Sequence, residues 1–123
     1  MAKLLDNSVF DAALAKVAIE TTIHFCSGEP TTRAEAISLS LANVTVTAGD
    51  GNGDYVIADD TSGRKLTVGA QTSMTPTGNG TIVRACIIDG SVLLAKAEVT
   101  SQAVTTSQSW NSPAFKVSLP DPT

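Results

Sequence analysis

Ile82-Val83-Arg84-Ala85-Cys86-Ile87-Ile88, then Asp89-Gly90, then Ser91-Val92-Leu93-Leu94-Ala95 is the stretch whose reading decides the fold. Two runs of branched apolar residues flank an Asp-Gly pair. Both turn residues tolerate positive φ, so the pattern predicts a tight β-hairpin. Apolar side chains occupy both parities of each run, which predicts a hairpin covered on both faces and placed in the core.

On the C-terminal side, strands are expected over about Gln102–Ser109 and Ala114–Leu119. In the second, Phe115, Val117 and Leu119 alternate with Lys116 and Ser118, and Pro120-Asp121-Pro122 ends the ladder. On the N-terminal side, Pro76, Gly78, Asn79 and Gly80 break the chain. Tyr55–Ala58 and Lys65–Ala70 read as short strands around a turn at Asp59–Gly63, and Gly49-Asp50-Gly51-Asn52-Gly53 reads as a loop. Leu39 and Leu41 share one parity while Val44, Val46 and Ala48 share the other, so a bulge is expected near Ala42. Residues 31–38 are ambiguous, with a short helical turn as one option. From Thr22 the period is two, Ile23 and Phe25 facing opposite to His24 and Cys26, until Gly28 and Pro30 stop the strand. Before it, Val9, Phe10, Ala13, Leu14 and Val17 recur at helical spacing, and Ser8 with Asp11 three residues on suggests a cap. The expected architecture is one domain over residues 1–123. It is mainly β, an antiparallel β-sandwich or flattened barrel of about seven short strands over about 21–119, with one N-terminal α-helix over about 8–19.

Composition narrows the function. Eight Lys and Arg against twelve Asp and Glu give a net charge of -4, and charged residues are 16% of the chain. No basic excess exists to neutralise a phosphate backbone, so no nucleic-acid partner is expected. No run approaches the roughly 20 apolar residues of a membrane span, and the first residues lack the apolar core of a signal peptide. The expectation is a soluble protein made in the cytoplasm, with no membrane partner. Cys26 and Cys86 lack metal-site spacing and are read as two buried thiols ahead of a disulfide.

Candidate chemistry concentrates in His24-Phe25-Cys26-Ser27-Gly28-Glu29-Pro30-Thr31-Thr32, which holds the only histidine and one of the two cysteines. On a strand, His24 and Cys26 share a face but stand about 7 Å apart, beyond the reach a general base needs. The segment therefore reads as a strand ending in a Gly-Glu-Pro turn. Asp50, Asn52 and Asp54 have alternate calcium-loop spacing, yet Tyr55 and Thr61 occupy the places of the turn glycine and closing glutamate, which excludes an EF-hand. A looser calcium site from Asp50, Asp54, Asp59 or Asp60 is weighed against a solvated loop. The glycine-rich loop lacks a phosphate-binding lysine. Trp110 and Tyr55 are weighed as a sugar-stacking face against simple core packing. No catalytic, cofactor-binding or metal-ligating residue is assigned, and no cofactor is expected.

Two segments carry a resemblance. Leu5-Asp6-Asn7-Ser8-Val9-Phe10-Asp11-Ala12-Ala13-Leu14 leads into Cys26-Ser27-Gly28-Glu29-Pro30-Thr31-Thr32 and Ala34-Glu35-Ala36. Near the other end stand Asp89–Ala95, Ser101-Gln102-Ala103-Val104-Thr105, Ala114-Phe115 and Leu119-Pro120-Asp121-Pro122. Together they cover about half the chain, and they resemble a family of small virion structural proteins encoded among the head and tail genes of tailed bacteriophages and prophages. Arg33 stands where that family tends to carry an aromatic. The resemblance implies a non-enzymatic capsid decoration or cement protein, localised in the virion and made in the host bacterial cytoplasm. Its implied partners are the major capsid protein or neighbouring virion proteins. It also implies a homo-oligomer, a trimer being one form, anchored through the helix or the proline-terminated tail. The competing reading is a receptor- or glycan-binding module of a tail or head fibre, with loops 49–54 and 71–80 facing the host.

Overall fold

The computed structural model describes residues 5–120. Asp121 and Pro122 of the expected tail lie outside the described residues. The first element, α1 (Asn7–Ala18), is capped by Asp6, whose carboxylate accepts the Ser8 N–H at 2.9 Å. Ser8 is therefore inside the helix, a correction to the expected cap: a carboxylate one position before the helix satisfies the same orphan donor. Phe10, Leu14, Val17 and Ala18 are buried, whereas Val9 and Ala13 are exposed, so the buried stripe sits one position on from the one expected.

Among the described residues nine strands follow instead of about seven: β1 (Thr22–Cys26), β2 (Ser40–Thr45), β3 (Tyr55–Asp59), β4 (Arg64–Val68), β5 (Gln71–Met74), β6 (Gly80–Ile88), β7 (Leu93–Val104), β8 (Trp110–Ser112) and β9 (Phe115–Leu119). A short helix, α2 (Arg33–Ser38), separates β1 from β2 and resolves the ambiguous 31–38 segment. Thr32 caps it by accepting the Glu35 N–H, and the Glu35 carboxylate accepts the Thr31 N–H, a reciprocal arrangement that closes the first turn.

The pairing is antiparallel throughout. β2-β1-β6-β7 form one sheet, β3-β4-β9 a second, and β5-β8 a two-stranded ribbon. The sheets do not close into a barrel. They enclose a main core to which every layer contributes: Ile23, Phe25, Ile82, Ala85 and Ile87 from the first, Tyr55, Leu66, Val68 and Phe115 from the second, and Met74 and Trp110 from the ribbon. Leu14 and Val17 of α1 close it. The expected bulge is present. Phe25 pairs with Ala42 but Cys26 pairs with Ser40, so Leu41 is the extra residue, and its carbonyl accepts the Thr77 N–H.

The hairpin at β6 and β7 exists with two differences from expectation. Its turn is four residues, Asp89 to Val92. The Asp89 carboxylate accepts the Ser91 and Val92 N–H groups, each at 2.6 Å, and neither Asp89 nor Gly90 adopts positive φ. An aspartate that bonds its own turn removes the need for the mirror-image geometry. Only β6 is covered on both faces. β7 continues through Val104 as an edge strand whose outer face exposes Lys96, Glu98 and Thr100.

Candidate functional site

The segment His24–Thr32 builds a corner that joins both ends of the first sheet. Gly28 takes φ 73°, a left-handed conformation that turns the chain at the end of β1. That turn aims Glu29 back at the sheet, where its carboxylate meets Arg84 Nε at 2.6 Å and Lys96 Nζ at 2.7 Å. Lys96 and Arg84 hold the Glu29 carboxyl below its usual range, the Lys96 hydrogen bond being the larger cause. Lys96 also donates to the Pro30 carbonyl at 2.9 Å, and Arg33 Nε donates to the Asp89 carbonyl at 2.7 Å. Two short polar segments far apart in sequence are thereby clasped together.

His24 and Cys26 are not brought into contact. His24 Nδ1 lies 2.9 Å from Ser40 Oγ, whose hydroxyl is committed as donor to the Ala42 carbonyl at 3.1 Å. Ser40 therefore accepts from Nδ1–H, leaving the Nε2 lone pair free. Burial, and then the charge of Arg33, lower the His24 pKa, so the ring is neutral at pH 7. It lines an open cleft of about 390 Å³ with Glu20, Arg33, Ile37 and the Asp89-Gly90 turn. Cys26 faces the other way in function if not in parity. Its Sγ donates to the Ala36 carbonyl of α2 at 3.1 Å and sits against Cys86, fully buried, and its pKa is pushed up by that neighbour and by burial. A neutral imidazole and a thiol held protonated in separate environments do not form a nucleophile pair.

The acidic loop is organised by its own backbone. Asn52 Nδ2 donates to the carbonyls of Thr47, Ala48 and Gly49, and Asn52 Oδ1 accepts the N–H groups of Asp54 and Tyr55. Asp54 accepts the Thr47 N–H and Gln71 Nε2, and Asp50 accepts the Ile57 N–H. Asp60 is held by Lys116 and Ser118, and Asp59 by Arg64. The acids point to different donors, and no three metal-capable side chains converge among the described residues. Replacing Asn52 with Ala is expected to destabilise the protein by about 1–2 kcal/mol, since one side chain satisfies five backbone groups in a partly solvated loop. Millimolar calcium should leave the melting temperature of either protein unchanged in a thermal scan.

Tyr55 is fully buried and Trp110 is 9% exposed, so neither offers a face for a sugar. Trp110 instead meets Phe25 edge-on at 5.0 Å. An open groove of about 610 Å³ lies between the edge strands β7 and β9, walled by Lys96–Thr100 on one side and Pro113–Ser118 on the other. Both walls are outermost strands with unpaired backbone groups along them. Sequence reading missed this feature because it ended the strand at Ala95 and restarted it at Gln102. The alternation Lys96, Glu98, Thr100 against Ala97 and Val99 was the available signal. No helix among the described residues is long and apolar enough to cross a membrane.

No family model, curated protein or solved structure matches this chain.

Proposed function

We propose that the chain is a non-enzymatic structural protein of a tailed-phage virion, a capsid decoration or cement protein that lies on the shell of the major capsid protein and stabilises it. The observation that carries this reading is the clasped corner. The segments that resemble the phage family come from two distant parts of the sequence, and the structure sets them side by side: Glu29 and Pro30 of the first bond Lys96, which directly follows Asp89–Ala95, and Arg33, where the family tends to carry an aromatic, bonds the Asp89 carbonyl. Resembling segments that adjoin in the fold belong to one structural unit, and that supports taking the family's role with it. The polar groups of that unit are engaged in turns, caps and ion pairs. The exposed edges of β7 and β9 supply backbone on which neighbouring subunits can add contact area, consistent with a homo-oligomer or with a protein laid across capsid seams.

Quantitative protein analysis of purified virions tests the proposal. A copy number near that of the major capsid protein is expected. A handful of copies per particle would favour the fibre reading, and absence from the particle would remove both.

A further inference from the structure

Cys26 and Cys86 sit on the neighbouring strands β1 and β6. The register pairs Cys26 with Arg84 and His24 with Cys86, so the two thiols are diagonal neighbours on one face of the sheet. Both are free and fully buried, in a small cluster with Ala36 and Ile88 that is separate from the main core. α2 forms its roof. The two thiols pack in the same buried cluster, and the Cys26 S–H donates to the Ala36 carbonyl at 3.1 Å.

We propose that Cys26 and Cys86 form a redox latch, in which a two-electron oxidant joins them as a disulfide that ties β1 to β6 and frees the Ala36 carbonyl of α2. The second half follows from the atoms. A disulfide sulfur carries no proton, so the bond that the Cys26 S–H makes to α2 is lost when the sulfur–sulfur bond forms. With a diazene oxidant, the Cys86 sulfur adds to one nitrogen. The Cys26 sulfur then attacks Cys86, the sulfur–nitrogen bond breaks, and the hydrazine leaves with two electrons and the two thiol protons. Cys86 is the member suited to act first, because the register sets it across from Lys96 of β7, whose charge favours a thiolate, whereas the Cys26 S–H is held by the Ala36 carbonyl.

Access to buried sulfurs requires an opening, and the element that can supply it is α2. The helix is six residues long, and among its residues only Ala36 is buried. Short, lightly packed elements open locally at lower cost than a core strand. The latch is independent of the virion reading. It would be reduced in a cytoplasm and closed outside one.

The test is treatment of the purified, folded protein with the diazene diamide, followed by intact mass measurement after denaturing alkylation. The expected product is a monomer about 2 mass units lighter that takes up no alkylating agent. Its melting temperature should rise by about 5 °C or more, the effect of closing a long loop. Hydrogen exchange should speed up at the amides of Arg33–Leu39 and slow down in β1 and β6. Thr32→Ala, which removes the cap of α2, should hasten oxidation about fivefold, the population change that loss of a cap brings. Cys86→Ala should abolish the mass change, and if that variant misfolds the wild-type mass still decides. An unchanged mass, a disulfide-linked dimer, or an oxidation rate indifferent to Thr32→Ala would overturn the latch.

Discussion

Phe25→Ala is expected to destabilise the protein by about 3–5 kcal/mol, read from urea unfolding. Phe25 is fully buried on β1, and its ring meets Trp110 of β8 at 5.0 Å and Phe115 of β9 at 6.3 Å, both edge-on. One side chain therefore touches all three sheets. Removal creates a cavity where the layers meet, and it also deletes two aromatic contacts, each worth about 0.5–1.5 kcal/mol beyond burial. Phe25→Leu keeps most of the volume and should cost about half as much. Set against a total stability of about 5–15 kcal/mol for a domain of this size, the alanine variant is at risk of unfolding outright. Trp110 reports the event, since its emission should shift to the red once its packing partner is gone. A cost below about 1.5 kcal/mol for Phe25→Ala would mean that the sheets are held together elsewhere.

How far the sequence reveals this protein depends on what kind of force forms each element. β1, the slip at Leu41 and the β6 run are legible because burial imposes a period, and Ile23, Phe25, Ala85 and Ile87 obey it. β5 and β8 are not legible. Gln71-Thr72-Ser73-Met74 and Trp110-Asn111-Ser112 carry little apolar pattern, and side chains tie them together: the Gln71 N–H donates to Ser112 Oγ, and the Ser73 N–H to Asn111 Oδ1. Ser73 adopts φ 57°, which no serine advertises in advance. The corner at His24–Thr32 is an intermediate case. Its turn is readable from Gly28 and Pro30, and Thr32-Arg33-Ala34-Glu35 carries the signature of a capping box that composition alone did not bring forward. Its meaning was not readable, because Glu29, Pro30 and Arg33 find their partners at Arg84, Lys96 and Asp89, and long-range polar pairing leaves no periodic trace. The Asp50–Asp60 loop shows the converse. Alternate acids suggest a cation, whereas the structure directs them to backbone N–H groups and to Arg64 and Lys116.

The second large effect is on the alkaline side and centres on Tyr55. Its ring is fully buried and its hydroxyl donates to the Glu20 carbonyl at 2.7 Å, joining β3 to the segment between α1 and β1. Burial, with the charges of Glu20 and Asp54 adding to it, pushes the hydroxyl up to about 12, above the value near 10 of an unfolded tyrosine. The folded state thus holds this proton more tightly than the unfolded state does. That contribution is fully present below pH 10 and is lost as pH rises toward 12, an expected loss of about 2–3 kcal/mol. The phenolate would also face the Glu20 carbonyl with no proton to share. Tyr55→Phe isolates the effect. At pH 8 the variant should be less stable by about 1–2 kcal/mol, because the partly buried Glu20 carbonyl loses its donor. Between pH 10 and 12 the wild type should lose stability and the variant should not lose this share of it, so their difference shrinks and then reverses. Whatever else changes over this range is common to both proteins and cancels in the difference. Urea midpoints for both proteins at pH 8, 10, 11 and 12 would measure it. A difference that stays constant across that series would show that Tyr55 ionises as easily folded as unfolded, and that its hydroxyl does not seal this edge of the core.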